Sequence, residues 1–391
     1  MGTILEQKLE EFAIKLLLSE KVKKSTDHNT AISNLTNLLN GYDIIGEVAL
    51  LPDLTPANSL PTGTTVIVDS NKAVNPSFIG MDIGCGYHFF SAEMNPKRFL
   101  KKGKFKERSA ATMVEAINKG LKYRENSASK KFTSNLPIKG IEKMVQQQFG
   151  TLGKGNHFID MFVIDKIYDQ QACQRQGISD KKVYFMIHSG SRELGFATNA
   201  YFSKLFKEST NHQDFNRRYL KAVKEAVAYA SANRDYLRQL IEQSLINTNG
   251  YPVDTKTIFD KPHNDIEVQS DGYKIKKGTA SLIPGDVFVI PGTAVDAAYL
   301  VEGSFGLENS LGTINHGAGR KYTRAQIFSK YRRKKFDNLF NEIALNVNPK
   351  KMIEEIPKAY KNIDDVMDSV EEYDLARRIA RLRPVGVIVE R

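Results

Sequence analysis

Four short glycine-bounded strings hold most of the residues that could bind a soft metal or act as a nucleophile. They are Asp82-Ile-Gly-Cys-Gly86, Gly155-Asn-His-Phe158, His188-Ser-Gly-Ser-Arg192 and His316-Gly-Ala-Gly-Arg320. The chain has seven histidines and two cysteines, and three of those histidines and one cysteine fall inside the strings. His263 adds another imidazole in the polar turn Lys261-Pro-His-Asn264. Glycine beside such side chains lets the backbone turn sharply and approach a ligand closely. Asp82 and Cys85 stand close together in a stretch too rich in glycine for a regular helix. A thiolate can bridge two cations, a nearby carboxylate can complete the shell of one, and His157, His188 and His263 can supply nitrogens. Such mixed donors suit Mn, Co, Fe or Zn rather than Mg or Ca. Singly, each residue has a plainer reading. A cysteine beside glycine is commonly structural, and a histidine on an apolar run such as Met186-Ile-His188 is commonly a satisfied core residue. Their joint occurrence favours a metal.

His316 differs because its glycine loop runs into Arg320 and Arg324. Those arginines suit phosphate oxygens, and an unprotonated imidazole beside them could attack phosphorus to give a covalent phosphoramidate. A simple anion-binding loop with a hydrogen-bonding histidine would use the same residues. Residue types alone leave both readings open.

Gathering these side chains into one site requires segments from residue 80 to residue 320 to converge, which argues for one catalytic domain over residues 1–391. The length supplies ample core, and no repeat or low-complexity linker divides the chain. Val183–Ile187, Val287–Ile290 and Val385–Val389 read as strands, and Val268–Ile275, with its Asp271-Gly272 pair, as a hairpin. Apolar spacing predicts an amphipathic helix over residues 4–20 and one or two long helices over Asp214–Asn247. The class expected is α+β rather than a series of βαβ units.

The formal charge is +11, and the excess is clustered. Lys97, Arg98, Lys101, Lys102, Lys104, Lys106 and Arg108 form one group, and Lys330, Arg332, Arg333, Lys334 and Lys335 another. Such groups attract phosphate backbones without reading sequence, although solvated surface faces look the same. No apolar run is long enough to span a bilayer, and the N-terminus does not resemble a secretory signal. Two cysteines cannot make a disulfide framework, so a reducing, cytoplasmic setting is expected.

The strings resemble, in order, the signature blocks of RtcB-type RNA ligases: Asp82–Gly86, Gly150-Thr-Leu-Gly-Lys-Gly-Asn-His-Phe158, His188-Ser-Gly-Ser-Arg-Glu-Leu-Gly195, Ile290-Pro-Gly292 and His316–Arg320. The likeness runs from about Pro52-Asp53 to Arg383-Pro384 and is closest to a shorter bacterial branch of the family. It implies a single large catalytic domain with mixed and antiparallel sheets flanked by helices. It also implies joining of RNA 3′-phosphate or 2′,3′-cyclic phosphate ends to 5′-hydroxyl ends, with GTP and two Mn²⁺ ions. By that resemblance Cys85 bridges the two ions, His188 and His263 complete one, and Asp82 and His157 complete the other. His316 accepts GMP. Asn156, Phe158, Asp160, Thr293, Gly317, Ala318, Gly319 and Tyr360 fall in the nucleotide pocket, with Asn156 on a phosphate and Tyr360 stacking on the base. Arg192, Arg320 and Arg324 fall where RNA or other phosphates bind, and Asp53 matches an acid near the 5′-hydroxyl. A release-factor-like protein is the functional partner implied for this branch, with repair of cleaved rRNA or tRNA as the task.

The chain also departs from the family pattern. Val389 stands where the family has a base-contacting lysine, with Arg391 nearby. Ala298 and Thr293 replace serines, Asp160 replaces a glutamate, Thr55 a histidine and Ser281 an arginine. Lost polar contacts to a base weaken discrimination. Two rival readings keep parts of this picture: a Mn-dependent phosphodiesterase or phosphatase acting on RNA ends, and an idle RNA-binding protein relying on its basic clusters.

Overall fold

A computed structural model of the chain describes residues 5–8, 12–100, 104–122, 136–334 and 336–390. Among these residues the fold is α+β, with two large sheets, a two-stranded ribbon and flanking helices. The first sheet has six strands, in the order Leu5–Lys8, Ala13–Leu16, Glu47–Thr55, Thr62–Asp69, Gly272–Lys277, Asn264–Val268. The last two form the hairpin expected around Asp271-Gly272. The ribbon pairs Thr279–Ser281 with Thr313–Asn315 and brings His316 to the edge of this sheet.

The expected helix over residues 4–20 is replaced by the strands Leu5–Lys8 and Ala13–Leu16 and a short helix, Glu20–Lys24, capped by Ser19. Phe12, Ile14 and Leu16 are buried while Ala13 and Lys15 are only partly so. That is the period of two that a strand imposes. Parallel pairing of Ala13–Leu16 with Glu47–Leu50 settled a stretch whose apolar residues fit either period.

The second sheet has eight strands. Its path runs Val287–Pro291, Ala298–Gly303, Ala376–Ile388, Phe158–Ile167, Val183–Ser189, Gly86–Ala92, Thr255–Pro262, with Ala344–Leu345 added beside Ala376–Ile388. Its central strands are buried on both faces, as in Val183–Ser189 and Gly86–Ala92. On one face Phe89 stacks on Tyr184 and Phe259, and Phe259 on Phe288. On the other, Phe90 and Phe185 pack with Leu237, Ile241 and Leu245. Each such side chain contributes about 1.5–3 kcal/mol by leaving water, so this two-sided core is a rigid base for whatever its strand ends carry.

Leu237, Ile241 and Leu245 belong to the expected long helix, one element spanning His212–Asn249. The Asn211 side chain caps its N-terminus and Gly250, at φ 77°, closes its C-terminus. Its inward stripe runs Ala226, Ala230, Asn233, Arg234, Leu237, Ile241. The helix crosses directly under the Asp82–Gly86 turn. A Cβ on Gly84 would lie 2.9 Å from the Val227 Cα, so only glycine allows this approach.

Candidate active site

Strand register explains how donors so far apart in sequence meet. Phe158 pairs with His188, Tyr87 also pairs with His188, and Gly86 pairs with Ser189 on one side and Pro262 on the other. His157, His188, Cys85 and His263 therefore sit at one level, at the same end of four neighbouring strands. The His263 amide donates to the Cys85 carbonyl at 2.7 Å, which ties the last turn to the first. Cys85 Sγ lies 3.0 Å from His188 Nε2 and 3.4 Å from His157 Nε2, and His157 Nε2 lies 3.4 Å from Asp82 Oδ2.

Two donor groups result, each within 4.8 Å: Cys85 with His188 and His263, and Asp82 with Cys85 and His157. Cys85 belongs to both. Burial, with the Asp82 charge added, pushes the Cys85 thiol well up, and burial holds His188 and His263 well below the usual histidine range. The Nδ1 atoms of both histidines are buried without a hydrogen-bond partner. Neutral imidazoles and a thiol whose proton a cation would displace fit a thiophilic divalent metal.

Arg234 of the long helix holds this cradle from below. It is fully buried, and Nη1 donates to the carbonyls of Gly84 and Ser189 at 2.8 and 2.9 Å, one on each side of the cradle. Its remaining nitrogens pair with the Asp260 carboxylate. Residues 150–153 are fixed in turn. The Asn233 side chain bonds Gly150 and Thr151, Ser189 Oγ donates to the Leu152 carbonyl, and Glu390 accepts the amides of Leu152 and Gly153. Arg192, with φ at 56°, lies over the cradle. Its guanidinium donates to Thr151 Oγ1 and lies 3.5 Å from His157 Nδ1.

Imidazole rings continue from the cradle toward His316. Ring centres are 5.4 Å apart for His157 and His188, 5.1 Å for His188 and His263, and 4.6 Å for His263 and His316. His316 Nδ1 lies 2.6 Å from Asp53 Oδ2 and 2.9 Å from the Gly278 carbonyl. Both neighbours are acceptors, so Nδ1 is the nitrogen that donates. Asp53, fully buried, thus faces His316. Gly319, at φ 71°, makes the contact possible: a Cβ there would stand 2.3 Å from the Asp53 carbonyl oxygen.

A pocket opens beside His316. Its wall includes the expected Asn156, His157, Phe158, Asp160, His188, Thr293, Gly317, Ala318, Gly319, Arg320, Arg324 and Tyr360. Arg320 Nη1 donates to the Tyr360 hydroxyl at 2.9 Å, and that hydroxyl donates to Glu355 at 2.5 Å. Burial, with the Glu355 charge added, pushes the Asp160 carboxyl well up, and its Oδ1 has no partner. Arg324 pairs with Glu354. Asp53, Asp82, Cys85, His263 and Arg192 are not in this wall.

Of the positions that depart from the family pattern, Val389, Thr293, Asp160 and Thr55 line the pocket. Ala298 is buried outside its wall, and Ser281 bonds Lys276 and Glu267 instead. Arg391, Lys335 and Lys101 and Lys102 of the first basic cluster lie outside the described residues, as do the side chains of Lys104, Lys106 and Arg108. Lys330 lies in the last turn of the helix Arg324–Tyr331, whose first residue is in the pocket wall, and Arg332, Arg333 and Lys334 follow the helix exposed.

A family model described as tRNA-splicing ligase RtcB matches residues 119–390, more than half of the chain. The chain belongs to the RtcB family. The tRNA-splicing ligase RtcB of Nanoarchaeum equitans is 25% identical, with the alignment covering 96% of this chain and 94% of that protein. The proteins of that name from Methanocaldococcus jannaschii and Pyrococcus furiosus are 27% and 28% identical. Those alignments cover 62% and 61% of this chain but 29% of either relative. Asp53, Asp82 and Cys85 precede the family match, and the longer Nanoarchaeum alignment covers nearly the whole chain.

Arg234, Glu355 and Lys361 were not reached from the family's motifs. Arg234 had a signal: Asn233-Arg234 interrupts an otherwise apolar helical stripe, and a buried arginine needs several acceptors. Among the described residues, no helix is long and apolar enough to cross a membrane.

Proposed function

We propose that this chain joins RNA ends bearing a 3′-phosphate or 2′,3′-cyclic phosphate to 5′-hydroxyl ends, through a GMP adduct on His316. The observation that carries this is the arrangement at His316, whose Nδ1 is occupied by Asp53 and Gly278 while Nε2 remains for the pocket. Nε2 attacks the α-phosphorus of GTP, the bond to the bridging oxygen breaks and pyrophosphate leaves. Water opens a 2′,3′-cyclic phosphate end by breaking its bond to the 2′-oxygen, which leaves a 2′-hydroxyl and a 3′-phosphate; an oxygen of the RNA 3′-phosphate then attacks the histidine-bound phosphorus and the P–N bond breaks. The 5′-hydroxyl attacks the activated 3′-phosphorus, GMP departs and a phosphodiester remains. Asp53 supports the charge that develops on His316 during transfer, in the way a buried carboxylate orients a catalytic imidazole. Arg320 and Arg324 hold phosphate oxygens and Tyr360 stacks on the base. Cys85 with His188 and His263, and Cys85 with Asp82 and His157, would hold two Mn²⁺ ions, which would supply Lewis-acid polarisation of phosphoryl oxygens.

Intact-mass measurement after incubation with Mn²⁺ and each of the four nucleoside triphosphates tests this reading. A single acid-labile GMP adduct, absent from His316→Ala, is expected. No adduct with any nucleotide, despite bound metal, would sink the ligase reading. It would favour an RNA-end phosphodiesterase, for which Val389 in the pocket wall, in place of a cation, is the motivating observation. Resemblance to the shorter branch of the family, with its release-factor-like partner, supports the further assignment of the enzyme to repair of cleaved rRNA or tRNA. Sealing of broken ribosomal RNA no better than a generic oligonucleotide would remove that assignment.

A further inference from the structure

Lys361 immediately follows the pocket residue Tyr360 and has no part in the chemistry above, yet it is only 2% exposed. Its ammonium donates to the carbonyls of Pro52 and Leu54, at 3.2 and 2.6 Å, the two residues that flank Asp53. Its own amide donates to the Gly319 carbonyl at 3.0 Å, in the loop that carries His316. One residue thus joins the strand that supplies the carboxylate to the loop that supplies the imidazole. The hydroxyl of Thr55 makes a parallel tie, to the Arg320 carbonyl at 3.2 Å.

We propose that Lys361 is a positioning residue for His316: by gripping the backbone on both sides of Asp53, it keeps that carboxylate on Nδ1 and so keeps Nε2 as the reactive nitrogen. A buried cation held by two carbonyls is costly unless an anion lies near, and the charge that offsets its burial is that of Asp53. Burial pulls the ammonium down to about 7 against that opposing effect. The bonds to Pro52 and Leu54 fix where the carboxylate stands rather than consuming its acceptor positions. Misplacement of a reacting group by as little as about 1 Å can lower a rate by roughly a hundredfold. This inference rests on the nucleotidyl-transfer reading for its kinetic arm and is independent of it for its spectroscopic arm.

Lys361→Met, close in length but without the cation, tests it alongside Asp53→Asn and the double variant in Mn²⁺-loaded protein. The single-turnover rate of GMP attachment should fall about 10- to 100-fold in Lys361→Met, with the KM for GTP within about twofold of wild type. The double variant should be little slower than Asp53→Asn alone, because Lys361 acts through Asp53. The second arm reads the ring nitrogens of His316 in ¹⁵N-histidine-labelled protein carrying Zn²⁺ in place of paramagnetic Mn²⁺, with His316→Ala to assign the signals. Wild type should show only the Nδ1-protonated form and Lys361→Met a mixture. Should Lys361→Met fail to fold, Lys361→Arg, which keeps the cation, takes its place and should retain the single tautomer and most of the rate. A wild-type rate and tautomer in Lys361→Met, or losses that multiply fully with those of Asp53→Asn, would overturn the proposal. Absence of any adduct on wild-type protein would instead remove the ligase reading and leave the tautomer comparison to decide the role of Lys361.

Discussion

The donor cradle and the pocket beside His316 share His157 and His188 but are built in different ways. The cradle is a product of register: four adjacent strands of one sheet end at the same level, and each delivers one donor. The pocket is assembled from loops and strand ends as far apart as Thr55 and Val389. Cys85 and His188 cannot shift without shifting strands that are packed on both faces. A side chain in the pocket can change while its backbone stays. All five expected metal donors are present, whereas four of the six departures from the family pattern, Thr55, Asp160, Thr293 and Val389, line the pocket, and Ala298 and Ser281 lie outside both regions.

The sharpest way to break this comparison is to remove the cradle's shared donor. Cys85→Ala should strip both ions, a loss larger than the roughly 10- to 100-fold weakening that follows removal of an outer-sphere partner. Retention of either ion at wild-type affinity, read by metal analysis after dialysis, would mean that the two donor groups are independent. His316→Ala should show the converse, with metal content unchanged and nucleotide attachment abolished. Metal loss in that variant would make the cradle and the nucleophile one unit.

A smaller effect is expected below the cradle. Arg234→Leu removes the guanidinium from Asp260, which keeps the Ser231 hydroxyl, and from the Gly84 and Ser189 carbonyls, and breaking such a pair typically costs about 3–5 kcal/mol. Thermal unfolding should record a clear fall in Tm and metal titration a weaker affinity, while an unchanged Tm would show that the cradle stands on strand register alone. The smallest change is in the pocket. Val389→Lys should raise the preference for GTP over the other nucleotides by about tenfold, the scale of one charged hydrogen bond. Equal adduct formation from all four nucleotides in that variant would show that position 389 does not read the base.

What could be read from the sequence divides along chemistry. Metal donors and the nucleophile belong to rare residue types, and placing them beside glycine makes them visible even without a fold. Lys361 was hidden because its ammonium is held by backbone carbonyls. The carbonyls that Lys361 holds lie 309 and 307 positions away, and any residue type can supply one. Long periodic stretches read correctly, as His212–Asn249 did. The run Phe12–Leu18 did not, because its apolar residues satisfy both a helical and an extended spacing and only the neighbouring strand chose between them. Asp53 was legible as an acid of the site, whereas its contact with His316 depends on a loop crossing that periodicity does not report.

The bond between Asp53 and His316 spans 263 positions. The imidazole can therefore meet its carboxylate only after most of the chain has been made. Contacts of such long range also slow folding. The site is thus completed late, once the strand that carries Asp53 and the loop that carries His316 have folded onto one another.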